Sequence, residues 1–581
     1  MKKSVLFFIL LLFTSTLASA QETSAPLLEA FRGNWFADRI GWALGVYDSV
    51  VIANNRIYTC EQVRRQKKGV ELTLRDKQSG RTQVMRLNTR KNGTCRMIQD
   101  DEVCEMTRDA QPAAVLADNG YDPFFRTDTA TLQGFINGYT PDLGFESGMI
   151  YLRNPVTGEE LPTVVSILPD GTFTVRLPLQ HPMLLSMLFN DEWFSFFIEP
   201  GQTQTMYLDW ADVLTRDEES DNTTFHPGTR FMGSNAHLSY LAMNLDNIPG
   251  YDYSNFPTKI RTLTPTQFKE SLKPDTDCWQ QKGDSLVTVY GASQKAVKLI
   301  RHKVALMEGF LSFYYTRYRP LFAQREPNNK ALNVPITADF YDFLHRMPLD
   351  DPEVLACDKV ESLPYRLYQD SLAATFRGTD KSFLWQVADI LERKSNLTGH
   401  ETYESLQTHK EQQKEACKEY PYLVACVDKL YSDLQAKLRA DTYELPEEEG
   451  TDIFRRIIRE NEGKVLFVDF WATWCGYCLQ GIEYNADLRR KYKDHPDVKF
   501  IFISGGNEAS RSEYDKYVDE HLRGETTYYL SEKEFSLLRQ LFRFSAIPHY
   551  ELVEKDGTIS RDHVDANSLR SYLNDRFPLE E

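Results

Sequence analysis

The stretch Gly463-Lys-Val-Leu-Phe-Val-Asp469-Phe-Trp471-Ala-Thr-Trp474-Cys475-Gly476-Tyr477-Cys478 decides how the chain is read. Val465 to Phe470 is an apolar run broken by one carboxylate, the pattern of a strand covered on both faces. It leads directly into a Cys-x-x-Cys that opens a helix extending through Lys491. One turn of helix brings sulfurs at i and i+3 together, close enough to close a small, reversible disulfide ring. At a helix N-terminus, unpaired N–H groups and the macrodipole favour an anion, so the Cys475 thiol is expected below its free pKa. Cys475 is the candidate attacking thiol, and Cys478, one turn further in, the candidate resolving thiol.

Working outward, Val498-Lys-Phe-Ile-Phe-Ile503 reads as a second buried strand, followed by a helix from Ser510 to Leu522. Ser531-Glu-Lys-Glu534 carries the capping-box pattern of another helix. Then come Ala546-Ile547-Pro548-His549, a strand from Tyr550 to Glu554, a Lys555-Asp556-Gly557 turn, Thr558-Ile559 and a last helix from Asn567. The order βαβαββα is that of a thioredoxin fold. Residues from about 450 to 578, about a quarter of the chain, resemble the thioredoxin superfamily and within it the TlpA/ResA-like branch of envelope thiol-disulfide oxidoreductases. The resemblance rests on Asp469 six residues before the first cysteine, Phe470-Trp471-Ala472, Trp474, the Cys-x-x-Cys and Ile547-Pro548. The extra helix before Ile547-Pro548 matches an insertion of that branch.

The resemblance implies roles. Asp469, a buried carboxylate whose pKa burial would raise, handles the proton of Cys478 through water. Pro548 is expected to be cis, leaving the preceding backbone open to pair with an extended substrate. Trp474, Ile547 and Pro548 are the candidate substrate-binding residues; Trp474 is expected to shield the disulfide, and Trp471 to support the fold. Two residues depart from the family pattern. Glu483 stands where a helix-kinking proline is usual, which puts the bend in doubt. His549 replaces the usual threonine and is expected to set a titratable group near the sulfurs.

Competing readings of the cysteine pair are a half zinc site and a purely structural disulfide. Zinc needs a second ligand pair, which Cys417 and Cys426 do not supply at comparable spacing. A peroxidase would need a Thr-x-x-Cys motif. Gly476-Tyr477 brings no charge between the cysteines, so stabilisation of the thiolate should be modest and the couple comparatively reducing. Ile547, which lacks a hydroxyl, also looks more like a reductase than an oxidase.

The chain has 581 residues, 41% of them hydrophobic, enough to bury several cores. A net charge of −17 without a long basic run speaks against a nucleic-acid surface. Lys2-Lys3, the apolar run Val5 to Phe13 and Ala18-Ser19-Ala20 read as a signal peptide, 1–20, cleaved to leave a soluble periplasmic protein. Alternating runs such as Val70-Glu-Leu72-Thr-Leu74 assign 21–125 to a β-rich domain, and Thr172-Phe-Thr-Val-Arg-Leu177 after a Pro169-Asp170-Gly171 turn assigns 126–225 to a β-sandwich. Apolar residues Val297, Ile300, Val304, Met307 and Leu311 share a helix face, so 226–445 reads as helical. The charged, breaker-rich Glu444-Leu-Pro-Glu-Glu-Glu-Gly450 separates it from a thioredoxin-like domain, 446–581.

The expected fold class is therefore multidomain: N-terminal β modules, a mostly α centre and a C-terminal α/β thioredoxin fold. The nine cysteines are an odd number, so in an oxidising compartment at least one is free or shared; the pairing of the seven outside the motif is not assigned. The expected function is an exported thiol-disulfide oxidoreductase, acting as a reductase on protein thiols or disulfides. No metal or cofactor is implied, because the cysteines carry the electrons, and a membrane electron donor is the expected partner. The alternative is an envelope protein that binds a peptide or glycan and uses the thioredoxin fold as a module.

Overall fold

Between Gly33 and Met106, short alternating strands separated by tight turns pair only with their sequence neighbours, giving an eight-stranded antiparallel meander. In this computed structural model, which describes residues 25–90, 92–110, 120–215, 226–245, 253–290, 293–358, 360–378, 381–397 and 401–579, the meander closes on itself. Phe36 and Thr107 exchange two backbone hydrogen bonds of 2.8 Å between the first strand and the end of the last. Closure removes the unpaired edges a flat meander would expose. Leu44, Val51, Leu72, Leu74, Met85 and Leu87 fill the barrel interior. The signal-peptide reading of 1–20 falls outside the described residues.

A two-sheet sandwich follows. One sheet orders Glu160–Ser166, Ser147–Arg153, Met183–Phe189 and Glu192–Ile198; the other orders Thr172–Leu179, Asp128–Asn137, Thr203–Asp209 and Arg230–Met232. Ile150, Leu132, Leu177, Phe189, Phe194 and Phe196 are buried between them. The last strand and the helix Ala236–Leu245 that packs on this module lie beyond residue 225. The helical region is built on two long helices, Pro265–Tyr290 and Gln294–Arg325, with Phe383–Ser395, Tyr403–Ala416 and Pro421–Lys437 packed into the same core. Phe340 and Leu344 are buried on a 3₁₀ segment, Ala338–Arg346. Among the described residues no helix is long and apolar enough to cross a membrane.

The C-terminal domain is a six-stranded sheet in the order Thr442–Tyr443, Ile559–Ser560, His549–Val553, Val465–Phe470, Val498–Gly506, Thr526–Ser531. Its central strand Val465–Phe470 is parallel to Val498–Gly506 and antiparallel to His549–Val553. The edge strand Thr526–Ser531 is absent from the sequence reading. Its first four residues are all half-buried, so no two-residue alternation marks it. The pattern also predicts one helix from the motif through Lys491, whereas the structure has two, Gly476–Tyr484 and Ala486–Tyr492, divided at Asn485.

The sandwich docks on this domain through its edge strand Glu160–Ser166. Val164 N–H donates to Gln540 Oε1 at 2.8 Å, and Ser545 N–H donates to Glu160 Oε2 at 2.9 Å. Arg543 adds an ion pair to Glu159 at 3.0 Å. Edge groups that would otherwise face water are thus used to fix the two modules together.

Candidate redox site

Successive residues of a strand face opposite sides of its sheet. On Val465–Phe470 this sends Val465 and Phe467 into the apolar cluster that holds Cys475 and Cys478, and Leu466, Val468 and Phe470 into a second cluster on the other face. Asp469 has the parity of Phe467, so the carboxylate lies on the cysteine side of the sheet. The strand ends at Phe470, and the chain turns through Ala472 to Trp474 to place Cys475 at the N-cap of Gly476–Tyr484.

The two cysteines form a disulfide. Cys478 is fully buried and Cys475 only 6% exposed. The Cys478 N–H donates to Cys475 Sγ at 3.2 Å, so the sulfur takes the place of the usual capping oxygen at an otherwise orphan amide. In the reduced protein the same amide would stabilise a Cys475 thiolate. The carbonyl oxygen of Ile547 stands 3.7 Å from Cys475 Sγ, and the Ile547–Pro548 bond is cis.

Asp469 is 3% exposed, and its Oδ1 has no hydrogen-bond partner among the described residues. Burial pushes its carboxyl up to about 8, against the opposing pull of the Arg489 guanidinium. Arg489 is itself buried, and burial lowers its pKa although Glu525, 3.2 Å away, supports its charge. Sequence reasoning does not find Arg489, because nothing local to Leu488-Arg-Arg490 shows that the first arginine turns inward and the second outward.

Glu483 leaves the helix bend intact for a reason the sequence reading does not anticipate. Asn485 interrupts the helix, its Nδ2 donating to Ala566 O at 2.7 Å and to Gly481 O at 3.3 Å. A side-chain amide therefore anchors the break in the helix where the family pattern uses a proline. His549 corrects a second expectation. Its ring stacks on Phe544 at 4.1 Å and its Nε2 meets Glu551 Oε1 at 2.8 Å, on the sheet face away from the cysteines. As the first residue of the strand it shares parity with Glu551 and Val553, which excludes it from the sulfur side.

Trp471 is fully buried against Tyr514 and Tyr517. Trp474, expected to shield the disulfide, is 75% exposed and lines a cleft of about 700 Å³ together with Ile547. On the other side of the motif Pro548, Tyr477 and Tyr484 line a groove of about 380 Å³. The candidate substrate-binding residues thus flank the sulfurs on both sides.

The fold and this site define a thioredoxin-like domain, and residues 463–559 match the thioredoxin-like family. Within that superfamily the similarity is to a ResA protein. The chain is 26% identical over 120 residues to the thiol-disulfide oxidoreductase ResA of Oceanobacillus iheyensis, a match covering 20% of this chain and 59% of that protein. The chain therefore spans less than two thirds of that curated relative. Among solved structures, it is similar to a putative thiol-disulfide oxidoreductase from Bacteroides vulgatus, at 25% identity over 20% of this chain and 82% of that one, with a TM-score of 0.18. It is also similar to a putative thiol:disulfide interchange protein DsbE from Chlorobium tepidum, at 21% identity over 20% and 82% of the two chains, with a TM-score of 0.18.

Proposed function

We propose that the protein is an exported thiol-disulfide oxidoreductase that reduces disulfides in client proteins. The observation that supports this reading best is a disulfide capping a helix N-terminus on the same sheet side as a buried carboxyl whose Oδ1 has no hydrogen-bond partner among the described residues. In the reduced protein the Cys475 thiolate attacks one sulfur of a client disulfide, forming a mixed disulfide and expelling the other client sulfur as a thiolate, which takes up a proton. Cys478 then loses its proton and attacks Cys475 Sγ. The Cys475–Cys478 bond forms, the mixed disulfide breaks, and the second client thiol leaves.

Two electrons pass from the protein dithiol to the client. Asp469 suits the proton transfer because a carboxyl held near 8 exchanges protons close to neutral pH, where the Cys478 thiol must ionise. A dithiol donor must reset the disulfide, and in this reading it is held in the membrane. Export rests on the apolar N-terminal segment and places the reaction in the periplasm.

The decisive experiment is trapping. Cys478→Ala should accumulate mixed disulfides with client proteins, and Cys475→Ser should trap none. No adducts with Cys478→Ala would instead support a binding or scaffold protein. A reduction potential of about −250 mV or lower for the pair marks a reductase, and one above about −150 mV an oxidase.

A further inference from the structure

The cleft beside Trp474 is not made by the thioredoxin-like domain alone. Its other wall belongs to the sandwich, where the turn before Glu192–Ile198 contributes Asp191 and the strand itself contributes Trp193, 40% exposed. The cleft reaches the reactive centre through Ile547, whose carbonyl oxygen lies 3.7 Å from Cys475 Sγ. Any protein segment presenting a disulfide to Cys475 from this side runs between the two modules.

The charges lining the cleft are unequal. Asp191, Glu513 and Glu532 carry carboxylates, and among the described residues none of the three forms an ion pair. Asp191 and Glu532 come from opposite walls; desolvation in the cleft pushes the Glu532 carboxyl up, and the like charge of Asp191 adds to it. Arg539, the one basic lining residue among the described residues, is occupied: it donates to Ser545 O at 3.0 Å and to Tyr151 OH at 3.4 Å, and lies over the rings of Phe535 and Phe544. Two facing carboxylates without a cation, in a cleft also lined by the exposed rings of Trp193 and Trp474, suit a lysine or arginine side chain by charge and by cation–π attraction.

We propose that this interdomain cleft receives the segment flanking the client disulfide, and that Asp191 and Glu532 select segments carrying lysine or arginine there. The proposal rests on the redox reading above and deepens it by naming the substrate class. It assigns the sandwich a share in specificity.

The test uses the reduced mature protein and an Asp191→Asn/Glu532→Gln double variant. Each is given two disulfide-linked peptides, identical except that the residues flanking the cystine are arginine in one and glutamate in the other. Thiol release is followed at low salt, and the ratio of the two rates is taken within each protein. The wild type should reduce the arginine peptide roughly ten-fold faster or more, in the range electrostatic steering supplies. The ratio should fall several-fold in the double variant and also at high salt, where exposed charges are screened.

A ratio near one in the wild type overturns the proposal. So does a preference that survives both substitutions, because attraction to the net negative chain as a whole would then explain it. Hydroxyethyl disulfide, which is neutral and small, separates the two readings in the wild type. Reduction of it without reduction of either peptide overturns the cleft proposal alone, and failure to reduce it overturns the redox reading and this one with it.

Discussion

The N-terminal barrel and the thioredoxin-like domain both place cysteines beneath apolar side chains, with opposite consequences. In the barrel, Cys95 is fully buried on the strand Cys95–Gln99, its backbone paired on both sides, and burial pushes its thiol up to about 12. Burial likewise pushes Cys60, and Cys417 and Cys426 in the helical region, up to about 11. Cys475 is almost as deeply placed, but its sulfur receives a helix N-terminal amide that no backbone ladder has claimed. The supply of free N–H groups, more than depth, is therefore expected to set thiol reactivity in this molecule.

The largest expected effect tests that contrast directly. In the reduced protein at pH 7, iodoacetamide should modify Cys475 roughly 10³-fold faster than Cys95, the gap that several units of thiol pKa imply. Comparable labelling, read by mass spectrometry, would break the comparison. Cys475→Ser should lower disulfide exchange by roughly 10³-fold or more, since it removes the attacking atom.

Asp469 sharpens the comparison from the proton side. Burial raises its carboxyl to about 8, so the folded chain keeps a proton there that the unfolded chain releases above about pH 4. Its contribution to stability is thus fully present below about pH 4 and is lost as pH rises towards 8. Asp469→Asn should flatten that decline and stabilise the domain by roughly 2–5 kcal/mol at pH 9, measured by urea unfolding. The same substitution should slow resolution of the mixed disulfide by roughly 10²-fold and remove the inflection near pH 8 from its rate profile. An unchanged profile would mean that Cys478 ionises without help from Asp469.

Smaller effects probe the scaffold around the motif. Asn485→Ala deletes the donor to Ala566 O inside a buried break and should cost about 1–3 kcal/mol by the same unfolding measurement. Arg543→Ala removes a partly exposed ion pair to Glu159 at the sandwich contact and should cost less than about 1 kcal/mol. A much larger loss would show that the two modules depend on each other for stability.

The Cys475–Cys478 pairing was legible in the sequence because its geometry is local. The i, i+3 spacing brings the two sulfurs together with no knowledge of the rest of the chain, whereas the place of Asp469 came from the family resemblance. The β modules and the helical centre were legible for the same reason, since their hydrophobic periods repeat within a few residues. Elements that lack a local period were not legible. Thr526–Ser531 is a strand because Val498–Gly506 offers it an edge, and the helix after the motif breaks because Asn485 finds Ala566 O, 81 residues away.

His549 shows the limit most clearly. Its place beside Pro548 suggested proximity to the sulfurs, but adjacency along a strand sends alternate side chains to opposite faces, and Phe544 and Glu551 hold it there. By itself, the sequence determined the disulfide motif, the carboxyl beneath it and the kind of fold that carries them. The closing of the barrel at Phe36 and Thr107, the docking of Glu160 on Ser545 and the cleft between Asp191 and Glu532 were decided by tertiary structure alone. Each joins residues far apart in the chain, and such pairs leave no periodic trace where either partner stands.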